Sequence, residues 1–268
     1  MKKQDIYNRI VGGYESYEGT VYLACCIGVE YDYDIVSHFI KYYKDIGVDE
    51  FLIVLNTDVP NSKKLKEVQN ILRGYGIEEK QIWYEKYDFI KHTQILMDLI
   101  ESQVEEKEWV ITVDIDEFQE YFCDLRKFIS YLEKNHYEYA VGTFVDRISI
   151  GGDIVKINND TDLFETFPVR TKLTKDIMYS NRNFIQKVVI HKSYIKLDFG
   201  QHRCIEEEEK KYRSCKHLID VHHFKWRGDL IQNTIDRIEM FKINNLGSRQ
   251  LQSFLDFYEK NGSLIADE

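Results

Sequence analysis

Four times in its first half the chain passes from a short apolar run to an amphipathic stretch. Thr20 to Gly28 (TVYLACCIG) is almost continuously apolar, the pattern of a strand covered on both faces. After a loop from Glu30 to Asp34, Ile35, Phe39, Tyr42 and Ile46 recur at helical spacing until Gly47 closes the helix. Glu50 to Leu55 predicts a second buried strand, ending in Asn56-Thr57-Asp58. The helix that follows carries Leu65, Val68 and Leu72 on one face, with Gly74 and Gly76 after it. Gln81 to Tyr84 predicts a third strand, Phe89 to Val104 a third helix, and Trp109 to Val113 a fourth strand. Such alternation predicts an α/β fold, a mostly parallel sheet with helices on both faces and ligands at the carboxyl ends of the strands.

The second half is less regular. Cys123 to Lys134 predicts a short helix, and Tyr137 to Ile148 a strand with Asp146-Arg147 near its far end. Gly151-Gly152 marks a turn, and residues 156–183, with Pro168 in their middle, are polar and loop-like. Lys187 to His191 and Ser193 to Leu197 alternate like paired strands and lead to Gly200-Gln201-His202. Glu206 to Glu209 followed by Lys210-Lys211 is expected as a solvated loop. Two amphipathic helices near 229–243 and 248–260 end the chain, and residues 1–19 are expected as a polar arm. The whole is expected as one domain, 1–268, with a first half (20–120), a second half (121–240) and a helical tail (241–268).

The strongest chemical signal is the end of the fourth strand, where an apolar run stops in Asp114-Ile115-Asp116-Glu117-Phe118. If the strand continues, Asp114 and Asp116 share one face with Ile115 on the other. Two adjacent carboxylates repel unless a cation lies between them. Mn²⁺ or Mg²⁺ suits that place, because a hard cation needs only one or two protein carboxylates and completes its shell with phosphate and water. The plainer alternative is a solvated turn, for which Asp and Glu are ordinary residues.

Composition narrows the partners. A formal net charge of −10 over 268 residues argues against nucleic acid or an anionic membrane as the main partner. Any phosphate ligand then needs a metal and local cations. No apolar stretch reaches the roughly 18–20 residues of a membrane span, and no signal-like run follows the start, so the chain is expected in the cytoplasm. The terminal helices are expected to pack on the core, with peripheral membrane contact left open. Five cysteines, none in a C-x-x-C pair, fit buried thiols better than a disulfide framework. No glycine-rich phosphate loop is present.

Taken in order, these features resemble glycosyltransferases of the GT-A fold, in particular the short bacterial family 2-like enzymes with a D-x-D-E-F motif. The anchors are Gly28-Val29-Glu30, Gly47-Val48, Asp114 to Phe118, Val145-Asp146-Arg147, Phe167-Pro168, Gly200-Gln201-His202 and His223-Phe224-Lys225-Trp226. They span roughly residues 20–240, and the resemblance implies a nucleotide-sugar-binding half (20–120) and an acceptor-side half (121–240). Two positions depart from the family pattern: Gly151-Gly152 stands where the family has Asp-Gly, and Asn56-Thr57-Asp58 where it has an acid-rich nucleotide motif.

The resemblance implies a metal-dependent, inverting transfer of a sugar from a nucleotide-sugar donor, with a UDP-sugar favoured. The acceptor would be a glycan or lipid-linked glycan of the cell surface. It implies Asp114 near the donor ribose or metal-bound water, Asp116 on the metal, and His223 completing the metal shell. Glu30, Asp58 and Lys225 are expected at the nucleotide. Lys225 or Arg227 would help stabilise the departing diphosphate. Inversion needs a general base at the acceptor hydroxyl, and Asp146 is the candidate; its alternative is an ion pair with a neighbouring arginine.

Three rival readings stand beside this one. His202, Cys204, Cys215 and His217 hold the inventory of a structural zinc site, without its usual spacing. A phosphatase with an aspartyl nucleophile also uses D-x-D, but at the start of its domain. A domain that binds a nucleotide sugar without transferring it would share every feature except the base.

Overall fold

The computed structural model describes residues 13–178, 186–241 and 248–265. Most of the expected arm, residues 1–12, lies outside them, as do residues 242 and 243 of the first terminal helix. In chain order the elements open with β1 (Val21–Gly28), α1 (Val29–Asp32), α2 (Val36–Asp45), β2 (Glu50–Asn56), α3 (Lys63–Gly74) and β3 (Gln81–Trp83). Next come α4 (Phe89–Gln103), β4 (Trp109–Thr112), β5 (Glu117–Glu120), α5 (Leu125–Lys134) and β6 (Tyr139–Ile148). Then follow α6 (Leu163–Thr166), β7 (Val169–Thr171), β8 (Gln186–Lys192), α7 (Glu206–Lys211), β9 (Ser214–His223), α8 (Leu230–Phe241) and α9 (Ser248–Asn261).

Two compact units interleave in sequence. One comprises Met1–Thr143 and Gln186–Val221, the other Phe144–Ile185 and His222–Glu268.

The first unit is α/β. Its strands follow the order β3-β2-β1-β4-β8-β6-β9-β5. β1 pairs in parallel with both β2 and β4, and β2 in parallel with β3. β8 enters antiparallel between β4 and β6. Both faces of β1 are buried, which its continuous apolar run requires. Burial of each large aliphatic or aromatic side chain here contributes roughly 1.5–3 kcal/mol. Side-chain caps start the helices: Ser62 Oγ accepts from the backbone N–H of Lys64 and Leu65, Asp88 from Lys91, and Asp124 from Lys127. The described end of the arm is tied down by Tyr17, whose hydroxyl donates to Glu108 at 2.7 Å.

Four sequence expectations change here. The Glu30–Asp34 loop contains the single turn α1. Ser193–Leu197 is no strand partner of β8, because β4 and β6 already occupy both of its edges. The chain instead turns at Ser193, whose N–H donates to Glu108 O and whose hydroxyl donates to Glu105 O, both at 2.9 Å. Residues 206–211 form α7 rather than a loop: four glutamates at its start and two lysines at its end suit the helix dipole while staying in solvent. Finally, the described part of 156–183 holds α6, β7 and a wide helical turn at Thr174–Met178.

The second unit contains the far end of β6, its antiparallel partner β7, and the terminal helices α8 and α9. Trp226 and Phe254 pack with ring centroids 5.2 Å apart.

Candidate active site

The parallel strands order as β3-β2-β1-β4, so the chain leaves β1 on one side toward β3 and returns on the other side at β4. That reversal is a topological switch point, and in open α/β sheets the crevice at the carboxyl ends of the two central strands is the ligand site. The register sets Ala24 beside Thr112, and Val113 N–H donates to Ala24 O at 3.2 Å. The acidic stretch therefore emerges beside the end of β1.

The stretch is a turn, not a continued strand. Glu117 N–H donates to Asp114 O at 3.0 Å, closing a four-residue turn, and β5 leaves from Glu117. The alternation argument for Asp114 and Asp116 is replaced by turn geometry, which keeps both carboxylates half-exposed while Glu117 is buried. Two tyrosines of α2 pin the outgoing strand. Tyr43 Oη donates to Glu117 O at 3.0 Å and accepts from Gln119 N at 3.2 Å; Tyr42 Oη donates to Gln119 O at 2.9 Å.

A cation between carboxylates is present in the protein itself. β8 pairs with β4 so that Val110 faces His191, and the same register continued sets Lys187 opposite Asp114. Lys187 is fully buried, with Nζ 2.6 Å from Asp114 Oδ2 and 3.0 Å from Glu117 Oε1. Burial alone would lower the Lys187 pKa, but Asp114 and Glu117 more than offset it and raise it. Burial likewise pushes Asp114 up, while Lys187 and then His92 hold it below the ordinary carboxylate range. Glu117 thus acts as a structural partner of the turn.

Around this turn stand the other candidates of the first unit. Glu30 follows β1; its carboxylate accepts from Thr57 Oγ1 at 3.2 Å, and its carbonyl accepts from Lys64 Nζ at 2.6 Å. Asp58, after β2, is exposed. Sequence reasoning missed Asp32, Lys187 and His92. Asp32 Oδ2 lies where a Cβ on Gly28 would be 3.3 Å away, so β1 ends under a third carboxylate. The signal for Lys187 is a lysine heading an otherwise apolar strand.

In the second unit Asp146 is 1% exposed. Its Oδ1 accepts from Thr174 Oγ1 at 2.6 Å, His223 Nδ1 at 2.9 Å and Trp226 Nε1 at 2.9 Å, and its Oδ2 accepts from Thr174 N at 2.7 Å. Three donors crowd Oδ1 and one meets Oδ2, so the expected base sits as a buried, firmly held carboxylate. Burial alone would raise its pKa, but His223, then Thr174 and Trp226, bring it below the ordinary value. Lys225 is half-buried with Nζ 5.7 Å from the centroid of Trp226.

Among the described residues, no group of three His, Cys, Asp or Glu side chains gathers into a metal cage. Cys204 is buried in the apolar core of the first unit, Cys215 is buried, and the His217 side chain lies outside the described residues. What the acidic turn offers a hard divalent cation is oxygen chemistry: the half-exposed carboxylates of Asp114 and Asp116, the donor type such an ion takes from a protein.

No protein-family model matches the chain, and no curated protein matches it. Among solved structures it is similar to S. aureus TarS residues 1–349, at 10% identity and TM-score 0.42, covering 90% of this chain and 72% of that one. The same TarS segment in complex with UDP-GlcNAc matches at 14% identity and TM-score 0.42, covering 90% and 73%. A longer TarS structure matches at 11% identity and TM-score 0.41, covering 91% of this chain and 43% of that one. None of these matches assigns a role to a residue of this chain.

Proposed function

We propose that this chain is a metal-dependent glycosyltransferase, acting in the cytoplasm. In this reading it moves a sugar from a nucleotide-sugar donor, first of all a UDP-sugar, to a glycan or lipid-linked glycan acceptor with inversion. The observation that carries this reading is the acidic turn at the β1/β4 switch point, where the half-exposed carboxylates of Asp114 and Asp116 suit a divalent cation and a diphosphate. Asp116, and Asp114 through Oδ1, would hold Mn²⁺ or Mg²⁺. Such an ion supplies charge stabilisation to the leaving diphosphate. Lys187 keeps Asp114 ionised and fixed in the turn. Glu30 and Asp58, at the ends of adjacent strands, accept hydrogen bonds from the nucleoside.

The burial of Asp146 under Thr174, His223 and Trp226 favours one second reading, a domain of this fold that binds a nucleotide sugar without transferring it. Slow release of nucleoside diphosphate from a nucleotide sugar separates the two.

The test is a thermal-shift panel of UDP, GDP, CDP and CMP, each with and without Mn²⁺, on the wild type and on Asp116→Ala. A ligand at a hundred times its dissociation constant stabilises by about 2.7 kcal/mol. The expected result is a metal-dependent shift by one nucleotide, lost in Asp116→Ala. No shift with any nucleotide overturns the proposal.

A further inference from the structure

We infer that the turn Phe199–Gln201 and the first turn of α4 form a sugar subsite, in which the Gln201 amide and His92 Nε2 hydrogen-bond hydroxyls of the donor's transferred sugar. It rests on the nucleotide-sugar reading above and assigns residues to the sugar itself.

Gln201 has no exposed surface, and neither Nε2 nor Oε1 of its amide has a hydrogen-bond partner. Buried polar groups are nearly always paired, so an amide unpaired at both ends calls for a ligand or an ordered water. Its backbone is also strained, with φ of +57° at a non-glycine position. The surroundings hold it there. Gln201 N–H donates to Asp198 O at 3.0 Å, Asp198 Oδ1 accepts from Phe199 N at 2.8 Å, and Arg203 Nε pairs with Asp198 Oδ2 at 2.8 Å. Gly200 N–H donates to Thr93 Oγ1 at 3.3 Å, which fastens the turn to α4 one residue from His92.

His92 is 3% exposed; Nδ1 meets Tyr87 Oη at 3.1 Å, while Nε2 is buried and unpaired. His202 Nδ1 meets Gln186 O at 2.8 Å, which sets the turn beside Lys187, the partner of Asp114. An amide with two donors and a two-lone-pair acceptor, with an imidazole on the helical turn it is fastened to, matches vicinal hydroxyls and lacks the cations a phosphate requires. Both groups are shielded from bulk water, so binding involves lifting of the turn, whose Phe199 is exposed.

The test is isothermal titration in Mn²⁺ with UDP, GDP, UDP-glucose, UDP-galactose, UDP-N-acetylglucosamine and GDP-mannose, on wild type, Gln201→Met and Gln201→Gly. Both variants are expected to weaken the preferred nucleotide sugar about tenfold and to leave the matching nucleoside diphosphate within about twofold. Their melting temperatures are expected to hold or rise, since an unpaired amide is removed and, in Gln201→Gly, the strain as well. Unchanged nucleotide-sugar affinity means an ordered water pairs the amide and overturns the inference. Equal weakening of both ligands with a lower melting temperature means a structural role and also overturns it. A wild type that binds neither ligand class sinks the glycosyltransferase reading, and the subsite with it.

Discussion

Replacing Lys187 with methionine keeps the side chain's length and removes its charge from a fully buried position. Glu117, 1% exposed, then loses the partner 3.0 Å away, and Asp114 loses Nζ at 2.6 Å. Breaking one side of a buried ion pair costs about 3–5 kcal/mol, mostly the desolvation of the charge left behind. At about 2–4 °C per kcal/mol for a chain this long, the melting temperature falls by about 6–20 °C. The pH dependence follows from which groups then hold protons. In the wild type, the stability contributed by Asp114, whose folded pKa is lowered, is present above the ordinary carboxylate value and lost as pH falls through the lower folded value. In the variant, the orphaned carboxylate is costly only while ionised, so its penalty fades as it takes a proton on acidification. The two melting curves therefore converge as pH falls. Circular-dichroism melts of both proteins at pH 7.5 and pH 4.5 read this directly. A second variant, Lys187→Met with Glu117→Gln, removes the orphaned charge and should recover part of the loss at pH 7.5. A neutral-pH loss under about 2 °C, or a gap that does not change with pH, would falsify the account of Lys187 as the counter-ion of the turn.

Three further outcomes are expected. His191 is held by burial at about 4, with Nε2 accepting from Thr112 and Nδ1–H donating to Lys192 O. Between its unfolded value of roughly 6.5 and that folded value, only the unfolded chain takes the proton, so stability drains as pH falls through the window. His191→Gln should flatten the melting temperature there. Asp146→Asn places an amide against four donors and should destabilise by roughly 3 kcal/mol at neutral pH. Because the Asp146 pKa is lowered, its contribution goes only as pH falls below the carboxylate range, and the gap to wild type should close there in calorimetry. Ser62→Ala removes the cap of α3 and should cost about 1 kcal/mol in urea denaturation; an unchanged midpoint would show that the cap contributes nothing.

Why β1, β2 and β4 could be read from sequence while the site could not is a question of distance along the chain. Continuous apolar runs and helical spacings are local, and each predicted strand of the first half lies within a residue or two of its observed bounds. The acidic turn was legible as a place, at the carboxyl end of β4. Its chemistry depended on a residue 73 positions away. Sequence logic asked for a cation between carboxylates, and folding supplies one in Lys187. Spacing cannot reveal that, because β8 must first be known to insert antiparallel beside β4 in one register. The same blindness holds for Asp146, since only tertiary contacts show Thr174, His223 and Trp226 closing over it. Lys187 reaches the turn from a strand that enters the sheet late in the chain, and its pairs with Asp114 and Glu117 let the fold itself hold the carboxylates at the end of β4 in place.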